Sequence, residues 1–153
     1  MKVYETRDIR NVVLAGHGAS GKTTLAEAVL FTTGAVARMG RIEDGNTKSD
    51  YQEDEISRGI SIGASLVQTE WDGRKLNVID TPGYADFVGE VICGLRAADT
   101  VVIAVDAVTG LEVGTETAWE LCESRKLPRI IVVNRAGKEH SRANDVLHDI
   151  QQR

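Results

Sequence analysis

Gly16-His17-Gly18-Ala19-Ser20-Gly21-Lys22-Thr23 is the stretch whose reading decides the fold. Two glycines frame four residues and Lys-Thr closes the run, which is the phosphate-loop pattern. Gly16 and Gly21 permit backbone conformations that a side chain forbids. The loop can therefore turn its N–H groups inward around an anion. In that pattern Lys22 reaches the outer phosphates, and the Thr23 hydroxyl ligates Mg²⁺. Gly16, His17, Gly18, Ala19, Ser20, Gly21, Lys22, Thr23 and Thr24 are expected to line a bound nucleotide's phosphates. The competing reading is an incidental glycine-rich turn. Context opposes it: 9–15 is an apolar, valine-rich run and 24–31 reads as a helix, giving the strand, loop and helix that the motif requires.

Working outward, 10–15 is apolar enough to be a strand buried on both faces. Leu25, Ala28, Val29 and Thr32 mark one face of the helix that follows, ending near Gly34. Residues 34–59 are polar, with Gly40, Gly45 and the acidic run Gln52-Glu53-Asp54-Glu55, and show no sustained periodicity. A long irregular segment in a compact domain is expected to be functional or mobile, with a solvated acidic helix the plainer reading for part of it. The pattern then predicts a strand over 61–69, a tight turn at Trp71-Asp72-Gly73-Arg74 and a strand over 75–79, with Asp-Gly favouring an antiparallel hairpin. Helices are predicted over 87–97, 114–125 and 139–151, and buried parallel strands over 100–105 and 129–133. Alternating strands and helices predict an open α/β sheet with helices on both faces: a three-layer sandwich, mostly parallel with one antiparallel edge hairpin.

At 153 residues the chain reads as one domain. A formal net charge of -5 argues against a dedicated nucleic-acid surface, which needs clustered Lys and Arg. Cys93 and Cys122 are isolated and read as two buried, reduced thiols. No apolar run approaches a membrane span and the first residues are charged and polar, so a cytoplasmic location is expected. His17, His140 and His148 read as loop or solvated histidines rather than metal ligands.

Asp80-Thr81-Pro82-Gly83 breaks the chain at the carboxyl end of a strand, where ligands sit in such sheets. Asp80 suits a Mg²⁺ partner acting through water, and Gly83 offers an N–H to a terminal phosphate. With the first loop, this pair points to a nucleoside triphosphatase of the switch type. The chain resembles the nucleotide-binding domain of translation elongation factor G and its elongation-factor-G-like relatives. The markers are residues 16–24, Arg58-Gly59-Ile60-Ser61-Ile62, Asp80-Thr81-Pro82-Gly83-Tyr84-Ala85-Asp86-Phe87, Val105-Asp106-Ala107-Val108-Thr109-Gly110 and Gly114-Thr115-Glu116. The resemblance implies GTP and GDP as ligands with Mg²⁺, a first switch over 34–60, a second over 80–90, and the ribosome as partner of the full-length family. It places Ser61 where the family's Thr reaches Mg²⁺, against the plainer reading of a β-strand serine.

Four departures qualify the resemblance. Ala19 replaces the family's usual Asp beside the phosphates. Tyr84 stands where the family's histidine positions the attacking water, and a phenol of pKa about 10 is a poor base at neutral pH. Slow hydrolysis is the expectation, with a stacking or capping tyrosine the equal alternative. Asn134-Arg135-Ala136-Gly137 replaces Asn-Lys-x-Asp: Asn134 and the Arg135 stem can still support a base, but Gly137 lacks the carboxylate that selects guanine. The chain stops at Arg153, before the family's last strand and helix and its ribosome-contacting domains, so it reads as a fragment with an uncovered strand over 129–133. The readings carried forward are a slow GTPase domain with weakened base selectivity, a non-hydrolysing nucleotide-binding module, and an ATP-using phosphate-loop protein.

Overall fold

The computed structural model describes residues 2–153. Strand β1 (Ile9–Ala15) leads through the glycine loop into α1 (Lys22–Thr32). An irregular segment containing the short α2 (Glu53–Arg58) then leads to the hairpin of β2 (Ser65–Trp71) and β3 (Arg74–Asp80). Three units follow: α3 (Val88–Arg96) with β4 (Thr100–Asp106), α4 (Val113–Ser124) with β5 (Arg129–Asn134), and finally α5 (Ala143–Gln152). The five strands lie in the order β2-β3-β1-β4-β5. Only β2 runs antiparallel, pairing with β3 from Ser65 opposite Asp80 to Trp71 opposite Arg74. This is the mostly parallel sheet with an antiparallel edge hairpin expected from the pattern, and β5 is its other edge.

Strand alternation divides the core between two faces. Val13, Ala15, Val101 and Ile103 pack with Val91 and Leu95 of α3 and Ala118 and Cys122 of α4. Leu14, between Val13 and Ala15, points the other way and joins Ala26 and Leu30 of α1 with Val67 and Val78 of the hairpin. Because β1 and β4 are covered on both sides, they read in sequence as unbroken apolar runs.

Four expectations are corrected. The inward side of α1 carries Ala26, Glu27 and Leu30 together with Lys22 and Thr23, and only Leu25 and Val29 of the expected stripe pack against the core, from its margin. The helix begins inside the glycine loop, so polar side chains that serve the loop share its buried face. Residues 61–64 are not strand: the Ile62 and Gly63 N–H groups donate to Glu55 Oε1 at 3.0 and 3.1 Å, so the ladder starts only at Ser65. Helix α5 starts at Ala143 rather than 139, because 135–142 closes into turns with His140 at φ 63° and Arg142 N–H donating to Ala107 O. Cys122 is buried, but Cys93 is exposed. Two positions beyond Val91, Cys93 falls off the inward face of α3.

The irregular segment is held by two buried carboxylates, each 1% exposed. Glu27 reaches out of α1 to accept the N–H groups of Gly40 (3.0 Å) and Lys48 (2.5 Å). Glu55 accepts those of Gln52, Ile62 and Gly63. The acidic helix α2 is therefore not wholly solvated, since its Glu55 is an internal tie. Replacing Glu27 by Ala leaves two main-chain donors without their acceptor, and a loss of about 1–3 kcal/mol is expected. Hydrogen exchange should quicken over residues 40–50 well before it does in β1 and β4, with partial recovery in Glu27→Gln. Equal quickening throughout the sheet would show that Glu27 supports the core instead.

Candidate functional site

The site lies at the carboxyl ends of β1 and β3, where the chain turns sharply from strand into helix. Gly16 has φ 131°, and a Cβ there would meet Ala104 O at 2.5 Å. Gly21 has φ 90°, and its Cβ would collide with the Asn134 amide. Both glycines are thus required by backbone conformation and by close approach. They shape a loop that ends on the amino terminus of α1, whose unpaired N–H groups favour an anion. Lys22 lies beneath the loop, 6% exposed, donating to Gly16 O (3.1 Å) and His17 O (2.7 Å). Burial lowers its pKa from 10.5 to about 8, against the opposing pull of the Asp80 and Asp50 charges.

Beside Lys22 is a chain of oxygen groups. Thr23 Oγ1 donates to Asp80 Oδ2 at 2.7 Å and lies 3.2 Å from Ser61 Oγ. Ser61 Oγ donates to Asp50 Oδ1 at 2.7 Å. Asp80 is 1% exposed and Asp50 5% exposed. Burial raises the Asp80 pKa to about 6, opposed by the Thr23 hydrogen bond and the Lys22 charge. Burial likewise raises that of Asp50, with the Ser61 hydrogen bond opposing and the Glu55 and Glu27 charges adding to the rise. Asp80 Oδ1 and Ser20 Oγ are buried without a hydrogen-bond partner. Ser49, beside Asp80, draws its pKa down slightly without reaching normal hydrogen-bond geometry. Two hydroxyls and two carboxylates, one with an unpartnered oxygen, form a hard-oxygen donor set that fits Mg²⁺.

Most of the residues singled out from sequence meet here. Gly83 packs into the loop: a Cβ on it would meet Lys22 Nζ, Gly18 N at 2.5 Å and His17 C at 2.6 Å. The Tyr84 ring lies over Gly18 and is 42% exposed. A cleft of about 70 Å³ is lined by loop residues, Asp50, Ile60, Ser61, Gly83, Tyr84 and Arg135. His17 turns away from it, its Nδ1 accepting the Gly114 N–H at 3.2 Å and its Nε2 lying 3.5 Å from Glu112. Thr24 points outward from α1 and is exposed, as is Ala19, whose φ of 61° is a left-handed conformation. Asn134 Nδ2 donates to Ser20 O at 3.0 Å and braces the loop. The Arg135 guanidinium pairs with Asp106 Oδ2 at 2.6 Å. Burial works to raise the Asp106 pKa, but the Val108 N–H and Arg135 together hold it below the ordinary range. Gly137 has an ordinary φ and nothing within 4 Å of where a Cβ would stand, so the fold does not require glycine there.

Asp50 and Glu27 escape a reading of the sequence. Asp50 lies in the aperiodic segment beside a longer acidic run, with no local sign that the chain folds back to bring it against Ser61. Glu27 looks like a solvent-facing helix position.

A glycine loop joining a central strand to a helix, with a threonine in the first turn of that helix bonded to an aspartate at the end of the neighbouring strand, fits the α/β fold of phosphate-loop GTPases. The chain belongs to the family described as the elongation factor Tu GTP binding domain, which matches residues 7–153. An elongation factor G-like protein of Mycobacterium tuberculosis is 42% identical over 136 residues, 89% of this chain and 19% of its own. Elongation factor G of Granulibacter bethesdensis is 40% identical over 152 residues, 97% of this chain and 22% of its own. The mitochondrial ribosome-releasing factor 2 of Drosophila willistoni is 38% identical over 94% of this chain and 19% of its own. The chain thus spans about a fifth of the length of these relatives. A crystal structure of a Thermus thermophilus protein superposes with a TM-score of 0.89 at 41% identity, covering 94% of this chain and 22% of the other. The chain is accordingly a GTP-binding domain of the translation-factor kind. Among the described residues, no helix is long and apolar enough to cross a membrane.

The large shifts of Asp80 and Lys22 give the stability a pH signature. Native Asp80 keeps its proton up to about pH 6, whereas the unfolded carboxyl releases it near 3.8, so this group's contribution to stability falls as pH rises between those values. Native Lys22 releases its proton near 8 rather than 10.5, so stability returns as pH rises across that window. Melting temperatures measured with chelator from pH 4 to 10 should show the acid-side decline in the wild type minus Asp80→Asn difference. A difference that rises between pH 4 and 6 would contradict the desolvated carboxylate.

Proposed function

We propose that this chain, as a single domain over 1–153, binds a guanine nucleotide with Mg²⁺ and hydrolyses GTP slowly, with weakened preference for guanine. The observation that carries this reading is the buried Lys22 ammonium beside the Thr23–Asp80–Ser61–Asp50 oxygen cluster under a glycine loop. The N–H groups of the loop, from Gly16 to Thr24, hold the phosphates, and Lys22 exchanges its two carbonyl partners for phosphate oxygens. Thr23 and Ser61 would hold Mg²⁺, with Asp80 serving it through water, and Asp50 orients Ser61. When bound, Mg²⁺ offsets charge on the outer phosphates. Residues 34–60 and 80–90 are the two switches, and Gly83 donates its N–H to the terminal phosphate. Tyr84 can orient the attacking water but not take its proton, which is the reason for slow turnover.

Base selectivity follows from 134–137. Asn134 braces the loop, and the Arg135 stem would pack along the base with its head fixed on Asp106. Gly137 provides no carboxylate for guanine. Loss of a charge-assisted contact of about 1.5–3 kcal/mol removes roughly one to two decades of discrimination. For the whole protein we infer the ribosome as partner and the cytoplasm as compartment. A relative named as a ribosome-releasing factor supports the partner, although that relative is mitochondrial.

Calorimetry and phosphate release test the reading together. GDP and GTP should bind in the presence of Mg²⁺, ADP should compete within about a hundredfold, and Lys22→Ala should abolish binding. Gly137→Asp, which the open space allows, should raise the GDP-over-ADP preference by about one to two decades. Wild-type protein preferring GDP by many hundredfold would overturn weakened selectivity. Binding without phosphate release would favour the non-hydrolysing module, which the position of Tyr84 also supports.

A further inference from the structure

Gly18 is a glycine for a different reason from its neighbours. Gly16 and Gly21 stand at positive φ, whereas Gly18 has a conformation open to any residue. A Cβ on Gly18 would meet the Tyr84 ring at Cζ (2.9 Å), Cε1 (3.1 Å) and Cε2 (3.1 Å). Contact with three ring atoms across the far end of the side chain means the ring lies against the Gly18 Cα. The absent side chain at 18 is what lets a tyrosine sit down on the loop.

The adjoining main chain is equally close. Gly83 fits against Gly18 N, His17 C and Lys22 Nζ with no room for a methyl group. From behind, a Cβ on Gly114 would meet His17 Cα at 2.7 Å and Gly83 O at 3.2 Å, so α4 backs the same contact. In this conformation Lys22 donates to loop carbonyls, and the cleft that Tyr84 and Gly83 help to line is about 70 Å³. Small-ligand pockets occupy about 300–1,000 Å³. A third phosphate reaching Lys22 has to displace Gly83, and because Tyr84 is the next residue, its ring has to leave Gly18 as well. A diphosphate held deeper by the loop's N–H groups makes less of this demand.

We propose that Tyr84 and Gly18 form a latch that sets the preference between nucleoside diphosphate and triphosphate. This rests on the nucleotide-binding reading above and assigns Tyr84 a specificity role separate from any part in hydrolysis. A latch closed about nine times in ten lowers the apparent triphosphate affinity about tenfold.

The test uses the whole chain stripped of nucleotide and titrated, with Mg²⁺, against GDP and a non-hydrolysable GTP analogue. In Tyr84→Ala the analogue should bind about tenfold more tightly, with GDP changed less than about twofold. Tyr84→Phe keeps the ring and should retain the wild-type ratio. The ring should also shift the Gly18 α-proton resonances upfield by NMR, an effect lost in Tyr84→Ala and relieved by the analogue but not by GDP. If GDP binds and the ratio is the same in Tyr84→Ala, the latch is overturned while the nucleotide-binding reading stands. If neither nucleotide binds wild-type protein, that reading fails and takes the latch's selective role with it. An unshifted Gly18 resonance in wild-type protein overturns the latch whatever the affinities.

Discussion

An ammonium group held away from water has to be surrounded by acceptors, and that need shapes much of this domain. Lys22 is 6% exposed, with two loop carbonyls within hydrogen-bond distance and the charges of Asp80 and Asp50 nearby. The carbonyls converge on it only because Gly16 turns with φ 131° against Ala104, where a side chain has no space. The carboxylates reach it from separate parts of the chain, one from the end of β3 and one from the irregular segment. Loop, sheet end and segment are thus fastened at one charge, and an anion bound there acts on all three.

The irregular segment shows how a polar stretch can be ordered without an apolar core of its own. Its ties are buried carboxylates accepting main-chain N–H groups, from Glu27 outside it and Glu55 within it. Such contacts are strong when made and costly when half made, so they hold the segment in a defined arrangement. Asp50 and Ser61 belong to the same stretch, and Asp50 holds the Ser61 hydroxyl that lies against Thr23. The oxygen cluster is therefore part of what positions the segment.

The opposite side of the site is governed by steric fit. Gly18, Gly83 and Gly114 let the loop, the Tyr84 segment and α4 approach to main-chain contact. At Gly137 there is open space, so its lack of a side chain reflects no packing demand. Glycine at the first set of positions is a requirement of the fold, and at Gly137 it is not.

The sheet and the loop were legible in the sequence because their causes are local. Unbroken apolar runs fit only doubly covered strands, Asp72-Gly73 fits only a tight turn, and Gly16 to Thr23 carries its spacing in consecutive residues. Lys22, Thr23 and Asp80 could be singled out on that basis, and the family match over 7–153 agrees with the fold they implied. What tertiary structure alone decided depends on distant contacts. It buried Glu27, took 61–64 out of the strand by way of Glu55, delayed α5 to Ala143, and exposed Cys93. It also brought Asp50 to Ser61 and laid Tyr84 on Gly18. Local spacing fixes which way a strand or helix faces, but the partner of a buried carboxylate or a seated ring is set by loops returning from elsewhere, and no periodicity records that.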